Sequence, residues 1–315
     1  MIVPLLALLS AAFVPPPAGS ARACKPSPIR VASESLHAEV RQRNANLVTA
    51  RLAGRVDALM TNYAPDSVFM PEHQPRLYGV AQGTAYYRAY LARLPERALT
   101  FTTMDIVPLD GGGLEWGTFE VVRGANDDPV SSTLAGKYLH LWRRQADGTL
   151  KLTAEVWGYS KPLDDPSSHW FSGLERGKPS ARVPSAKVAA ELGVLNASNA
   201  ASVREHDYAR IGQYADDAVY LPFAEQPQIG LSAIRSHLMP YIERGRGTTF
   251  ERLDVGNDGF EIIDGHILEY SKFAVHWRAG ERAGVTSGGG LRLWRRGADC
   301  SLKILWQIGT HDYRP

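Results

Sequence analysis

The chain has only two cysteines, Cys24 and Cys300, so it can close at most one internal disulfide. It also lacks any run of five or six like charges, and its 35 Lys and Arg nearly balance 33 Asp and Glu. That balance argues against nucleic acid as a partner, which calls for basic side chains gathered on one face. No amphipathic, Lys-rich helix is present to lie on a membrane surface. No two of the nine histidines stand two or four residues apart, the spacings that point two ligands from one face, so no metal is expected. His73 adjoins Glu72, but neighbours on an extended segment face opposite ways. There is no G-x-S-x-G elbow, no phosphate-binding P-loop and no G-x-G-x-x-G after a strand, and VTSGGG at 285–290 reads as a strand lead-in, so no cofactor is expected.

Long apolar runs are equally scarce. The one at the N-terminus, Ile2 to Val14, is too short to span a bilayer, which takes roughly 20 apolar residues. Followed by the small-x-small site Ala21, Arg22, Ala23, it reads as a signal peptide over 1–23, although no basic residue precedes it. The expectation is an exported protein, periplasmic or secreted, with no transmembrane segment. In that setting Cys24 and Cys300 could form a disulfide, or Cys24, first in the mature chain, could carry a lipid.

What is present is a repeat. YAPDSVFMPEHQPRLYG (63–79) returns as YADDAVYLPFAEQPQIG (214–230), with six of 17 places identical at an offset of 151. LWRRQADGTLK (141–151) returns as LWRRGADCSLK (293–303), with eight of eleven identical at 152, and LEWGTFEV from Leu114 matches LEYSKFAV from Leu268 at 154. A period near 150 is too long for a solenoid unit and implies a duplicated domain. The length and the 44% apolar content suit two globular units.

Each copy opens with helical spacing, as at Leu52, Val56, Leu59 and Tyr63, interrupted near Gly54. A short strand at 68–70 should end at Pro71. Gly79 opens a second helix, whose counterpart carries Ile234, Leu238 and Ile242 and should kink or end at Pro240. Strand-like segments follow at 101–107, 114–122, 138–143 and 151–157. Helices first and an antiparallel meander after is an α+β plan. The stretch 163–185 is rich in Pro, Ser and Gly and reads as a linker on which His169, Trp170 and Phe171 dock back.

In this order, with Tyr-Ala-x-Asp-x-Val, an apolar pair with Pro, a Gly-started helix and the ending GKYLHLWRRQADGTLKLTAEVWG, the chain resembles the nuclear transport factor 2-like superfamily, in its SnoaL-like and ketosteroid isomerase-like, uncharacterised small-domain branches. The resemblance covers 36–162 and 188–313. It implies two tandem cone-shaped domains, each with helices packed on a curved, mostly antiparallel sheet around a pocket, joined as a pseudo-dimer. The boundaries become 36–162 for domain 1, 163–187 for the linker and 188–315 for domain 2. The superfamily's ketosteroid isomerases place a general-base Asp at about Pro71 and Pro222, and a proline moves no proton.

Candidate site residues follow from the same frame. Glu115 and Glu269 are matched carboxylates on the strand face that also carries Phe119 and Phe273, so each is either an acid or base or a strand-end group paired nearby. Glu155 faces Gln307 across the copies, so proton transfer there would belong to domain 1 alone. Glu72 could reach a pocket mouth, with Phe223 as its counterpart and Glu225 two places on. Tyr63, His73, Tyr87, Trp116 and Trp157 in one copy, with Tyr214 in the other, are candidates to line a pocket for a small hydrophobic organic molecule. Three functions stay open. One is an exported module that binds a small apolar ligand or a partner. Another is an enzyme of isomerase, cyclase or hydratase type that uses Glu155 or Glu72. The third is a structural tandem that serves as an assembly platform with closed pockets.

Overall fold

Ser33 starts the first helix, α1 (Glu34–Leu52), because its hydroxyl accepts the Leu36 N–H that the helix leaves without a partner. Val40, Asn44, Leu47 and Arg51 fall on one buried stripe of α1. The helix ends before Gly54, whose φ of 62° lies in the left-handed region that glycine enters without strain. A short α2 (Val56–Met60), strand β1 (Tyr63–Pro71), strand β2 (Leu77–Tyr78) and helix α3 (Val80–Arg93) follow. Four long strands complete the unit: β3 (Glu96–Leu109), β4 (Gly112–Arg123), β5 (Ser132–Arg144) and β6 (Leu150–Tyr159). The computed structural model describes residues 25–124, 132–180 and 185–313, so the signal peptide expected at 1–23 and Cys24 lie outside the described residues. Cys300 is disulfide-bonded.

The second unit repeats the order: α4 (Ala186–Glu205), capped by Ser185, then β7 (Tyr214–Leu221), β8 (Gln228–Ile229), α5 (Gly230–Gly245), β9 (Thr249–Ile263), β10 (His266–Ala279), β11 (Arg282–Arg296) and β12 (Leu302–His311). The sheets are ordered β2-β1-β6-β5-β4-β3 and β8-β7-β12-β11-β10-β9. Only β1/β6 and β7/β12 pair in parallel. The chain is thus α+β, with two sheet-and-helix domains arranged as a pseudo-dimer. Among the described residues no helix is long and apolar enough to cross a membrane.

Three local expectations are revised. The strand expected at 68–70 extends from Tyr63 to Pro71, and Pro71 is its last residue, after which the Glu72 N–H donates to the Trp157 carbonyl at 3.1 Å. Helix α5 does not end at Pro240 but continues for five more residues, with the proline ring exposed and the bond that its missing N–H cannot make absent from the ladder. VTSGGG lies within β11 rather than ahead of it. The stretch 163–180 crosses domain 1, where a 3-10 turn (Pro166–His169) brings the His169 imidazole to 2.9 Å from the Tyr159 hydroxyl and sets Phe171 against Tyr86.

The outer faces of the sheets meet. Alternate residues Trp116, Leu139, Leu141 and Val156 of domain 1 join Tyr270, Leu291, Leu293 and Ile308 of domain 2 in one apolar layer. Matched positions contribute from both sides, as in a two-fold dimer interface. Arg76 crosses this layer. Its guanidinium bonds Asp258 at 2.9 Å, the Ser271 carbonyl at 2.7 Å and the Tyr270 and Gly290 carbonyls at 3.4 Å. Gly289 makes the approach possible, since a Cβ there would stand 2.9 Å from Arg76 Nη2.

Candidate functional site

Period-two alternation turns the other face of each strand inward, and register identifies equivalent positions. Glu115, His140, Glu155 and Phe69 form one rung across four strands of domain 1. Glu269, Arg292, Gln307 and Tyr220 form the same rung in domain 2. On the next rung Gly117, Tyr138 and Trp157 correspond to Ser271, Gly290 and Gly309. Two of the largest inward side chains of domain 1 are therefore glycines in domain 2.

Volume follows from that substitution. In domain 1 the space between helices and sheet is occupied by Tyr63, Phe69, Tyr87, Tyr90, Tyr138 and Trp157, none more than 4% exposed. In domain 2 the same region holds a cavity of about 610 Å³. Its walls are Tyr220, Phe223, Phe250, Phe273, Val275 and Trp277, with Gln307, Gly309 and His311 along β12. Tyr241, at the position of the fully enclosed Tyr90, is half exposed.

The filled interior of domain 1 contains a closed polar network. Glu115 accepts from Asn44 at 2.8 Å, Thr103 at 2.6 Å, Tyr138 at 2.7 Å and the Trp142 indole at 2.8 Å. Glu155 accepts from Tyr63 at 3.0 Å and Tyr87 at 2.8 Å. His140 stands between the two, Nδ1 3.6 Å from Glu115 and Nε2 3.6 Å from Glu155. Burial opposes charge on all three groups. Their mutual attraction outweighs it, holding both carboxyls below the ordinary glutamate value and lifting the imidazole above its own. A second buried cluster joins Arg51 to Glu96 at 2.6 Å and Tyr90 to Glu96 at 3.1 Å.

Domain 2 keeps one part of this arrangement. Glu269 accepts from Asn196 at 2.7 Å, Asn257 at 2.9 Å and the Trp294 indole at 2.9 Å, which repeats the Asn44 and Trp142 bonds of Glu115. In both domains this glutamate pins the first helix to the sheet. The remainder is replaced: Arg292 stands for His140, Gln307 for Glu155, Val203 for Arg51 and Phe250 for Glu96. Tyr214 donates to Gln307 at 3.1 Å.

The other candidates lie at the junction of the domains or in the layer between them. The Glu72 carboxylate accepts the Tyr159 N–H at 2.8 Å and stands 3.4 Å from His73 Nε2, and the His73 N–H donates to the His311 carbonyl at 2.8 Å. The Phe223 and His311 rings stack at 3.8 Å on the cavity wall, and burial holds His311 down to about 4, hence neutral. Nearby Lys137 is fully enclosed, and burial lowers its ammonium to about 8 against the pull of Glu72 and Glu225. Glu225 is exposed at the cavity rim, 3.1 Å from His237. Trp116 faces the layer between domains and meets neither interior. The cavity thus gathers Tyr214, Glu225 and Gln307, while Tyr63, Tyr87, Glu115, Glu155 and Trp157 share the filled interior of domain 1.

Sequence reasoning passed over Arg292, Arg210 and Phe250, and placed Phe273 on the inward face without assigning it to a pocket. The signal that could have found the cavity is the paired loss of bulk, Tyr138 to Gly290 and Trp157 to Gly309, visible once the copies are set at an offset of 152.

No protein-family model and no curated protein matches the chain. Solved structures with similarity include a ketosteroid isomerase-like protein from Erwinia carotovora atroseptica, at 17% identity over 42% of this chain and 100% of that one, with a TM-score of 0.37. Aln2 from a Streptomyces species is 17% identical over 41% of this chain and 93% of its own, with a TM-score of 0.36. A putative dehydratase of the NTF2-like family from Streptomyces avermitilis is 16% identical over 40% and 97%, with a TM-score of 0.33.

Proposed function

We propose that the protein is an exported small-molecule-binding module in which domain 2 holds the ligand and domain 1 serves as its built-in partner subunit. The observation that carries this reading is the contrast between matched interiors, one filled by Tyr138 and Trp157 and the other left open at Gly309, where Trp157 has no counterpart. A hollow of about 610 Å³ lies within the range of pockets that enclose small organic molecules. Its aromatic and aliphatic walls favour a largely apolar, flat body. Binding is preferred to acid–base catalysis because Glu155 is held by two tyrosines inside domain 1, and proton transfer there would require that interior to open. Export is part of the proposal and draws support from the apolar leader and from the disulfide at Cys300.

Restoring the missing bulk tests the reading. A Cβ at Gly309 would meet nothing within 4 Å, so Gly309→Trp can place an indole where domain 1 carries Trp157. Calorimetric titration with the neutral probe 2-naphthamide should show one site on the wild type and none on Gly309→Trp, at unchanged circular dichroism. Equal binding by both proteins would refute a domain 2 site.

A further inference from the structure

The cavity floor carries a cation whose hydrogen-bonding capacity is only half used. Arg292 projects from β11 and is 8% exposed. Its Nη1 donates to Asn196 Oδ1 at 2.8 Å and lies 3.4 Å from Glu269 Oε2. Nε has no hydrogen-bond partner among the described residues, and the bonds to Asn196 and Glu269 both leave through Nη1, so neither engages Nη2. Those two nitrogens form the side-on fork of the guanidinium, the edge that grips the two oxygens of a carboxylate at once. Glu269 does not consume this edge, because three other donors already share its oxygens.

The surroundings carry the same sign. Arg210, Arg244 and Arg282 also line the cavity, against a single lining carboxylate, Glu225, which is exposed and faces His237. In domain 1 the position of Arg292 holds His140, enclosed by carboxylates on both sides. Domain 2 lacks the second of them, since Glu155 is replaced by the neutral Gln307. The guanidinium is left beside an apolar hollow with one charge partner where its counterpart has two. A buried cation with an unused donor edge is costly until an anion completes it.

We propose that the ligand of domain 2 is an organic monoanion, an aromatic carboxylic acid in chemical class, whose carboxylate sits on the Nε/Nη2 edge of Arg292 while its ring lies among Tyr220, Phe250, Phe273 and Trp277. This rests on the cavity reading above and adds the headgroup to it. Gln307, beside Arg292 on the wall, offers a neutral amide and so does not repel the anion, as a glutamate there would.

The test compares 2-naphthoate with 2-naphthamide, which share a ring system and differ in charge. On the wild type the carboxylate should bind tighter by about 10- to 100-fold, the range of a charge-assisted bidentate contact. The preference should shrink as salt is raised. Arg292→Gln should bring the two affinities to within about threefold of each other, and Arg292→Lys should keep part of the difference. If Arg292→Gln fails to fold, the wild-type ratio and its salt dependence decide alone. Equal affinities on the wild type would overturn the headgroup assignment and leave the cavity reading standing. Failure of both probes to bind would overturn both.

Discussion

Replacing His140 with leucine would leave Glu115 and Glu155 on either side of an apolar group in the core of domain 1. Each carboxylate now stands 3.6 Å from an imidazole nitrogen. At an effective dielectric near 20, one such pair is worth about 4–5 kcal/mol of attraction before desolvation is subtracted. Breaking a buried pair while its partner stays behind typically costs about 3–5 kcal/mol. For a domain of this size that is a fall in Tm on the order of 10 °C. The double variant His140→Leu/Glu155→Gln should recover at least ~1.5 kcal/mol of the loss, because Glu115 keeps its four donors and Gln can still accept from Tyr63 and Tyr87. The sign of the pH response is a second readout. His140 is raised in the folded state, so its contribution is complete below its unfolded value near 6.5 and fades as pH climbs through the folded one. The wild type should therefore gain nothing more from His140 below about pH 6.5, whereas the single variant should keep gaining stability toward pH 5, since one of two facing carboxyls then takes a proton. Scanning calorimetry at pH 5 and 7 measures both effects. A Tm within about 2 °C of wild type at both pH values would refute the charge-network account.

Two further outcomes follow from the same contacts. Glu155 is held below its ordinary value, so its contribution is present above about pH 4.5 and lost as pH falls through the folded value; urea midpoints of Glu155→Gln should decline less than wild type between pH 5 and 3. Arg76→Met removes a guanidinium that satisfies three carbonyls and Asp258 across the domain layer, and should cost about 2–4 kcal/mol in equilibrium urea unfolding, with the loss falling on the coupling between domains.

The architecture was legible because duplication prints each element twice. The strand expected at 114–122 is Gly112–Arg123, and its echo from Leu268 lies within His266–Ala279. Alternation also put Glu115 and Phe119 on one inward face. What the pattern could not supply was depth. His140 and Arg292 occupy equal positions in similar strings, and only the side chains arriving from α1, α3 and β3 make one an imidazole caged by carboxylates and the other a cation beside a hollow. Nor does a single sequence announce empty space. Gly309 reads as an ordinary strand glycine until Trp157 is set beside it. Pro240 was misleading as a stop signal, since α5 runs past it to Gly245.

Native mass spectrometry of the protein purified from its own host, beside Gly309→Trp purified the same way, tests the central claim most directly. One small acidic molecule per wild-type chain, absent from the variant, is the predicted result. Two molecules per chain, or one that persists in Gly309→Trp, would contradict it.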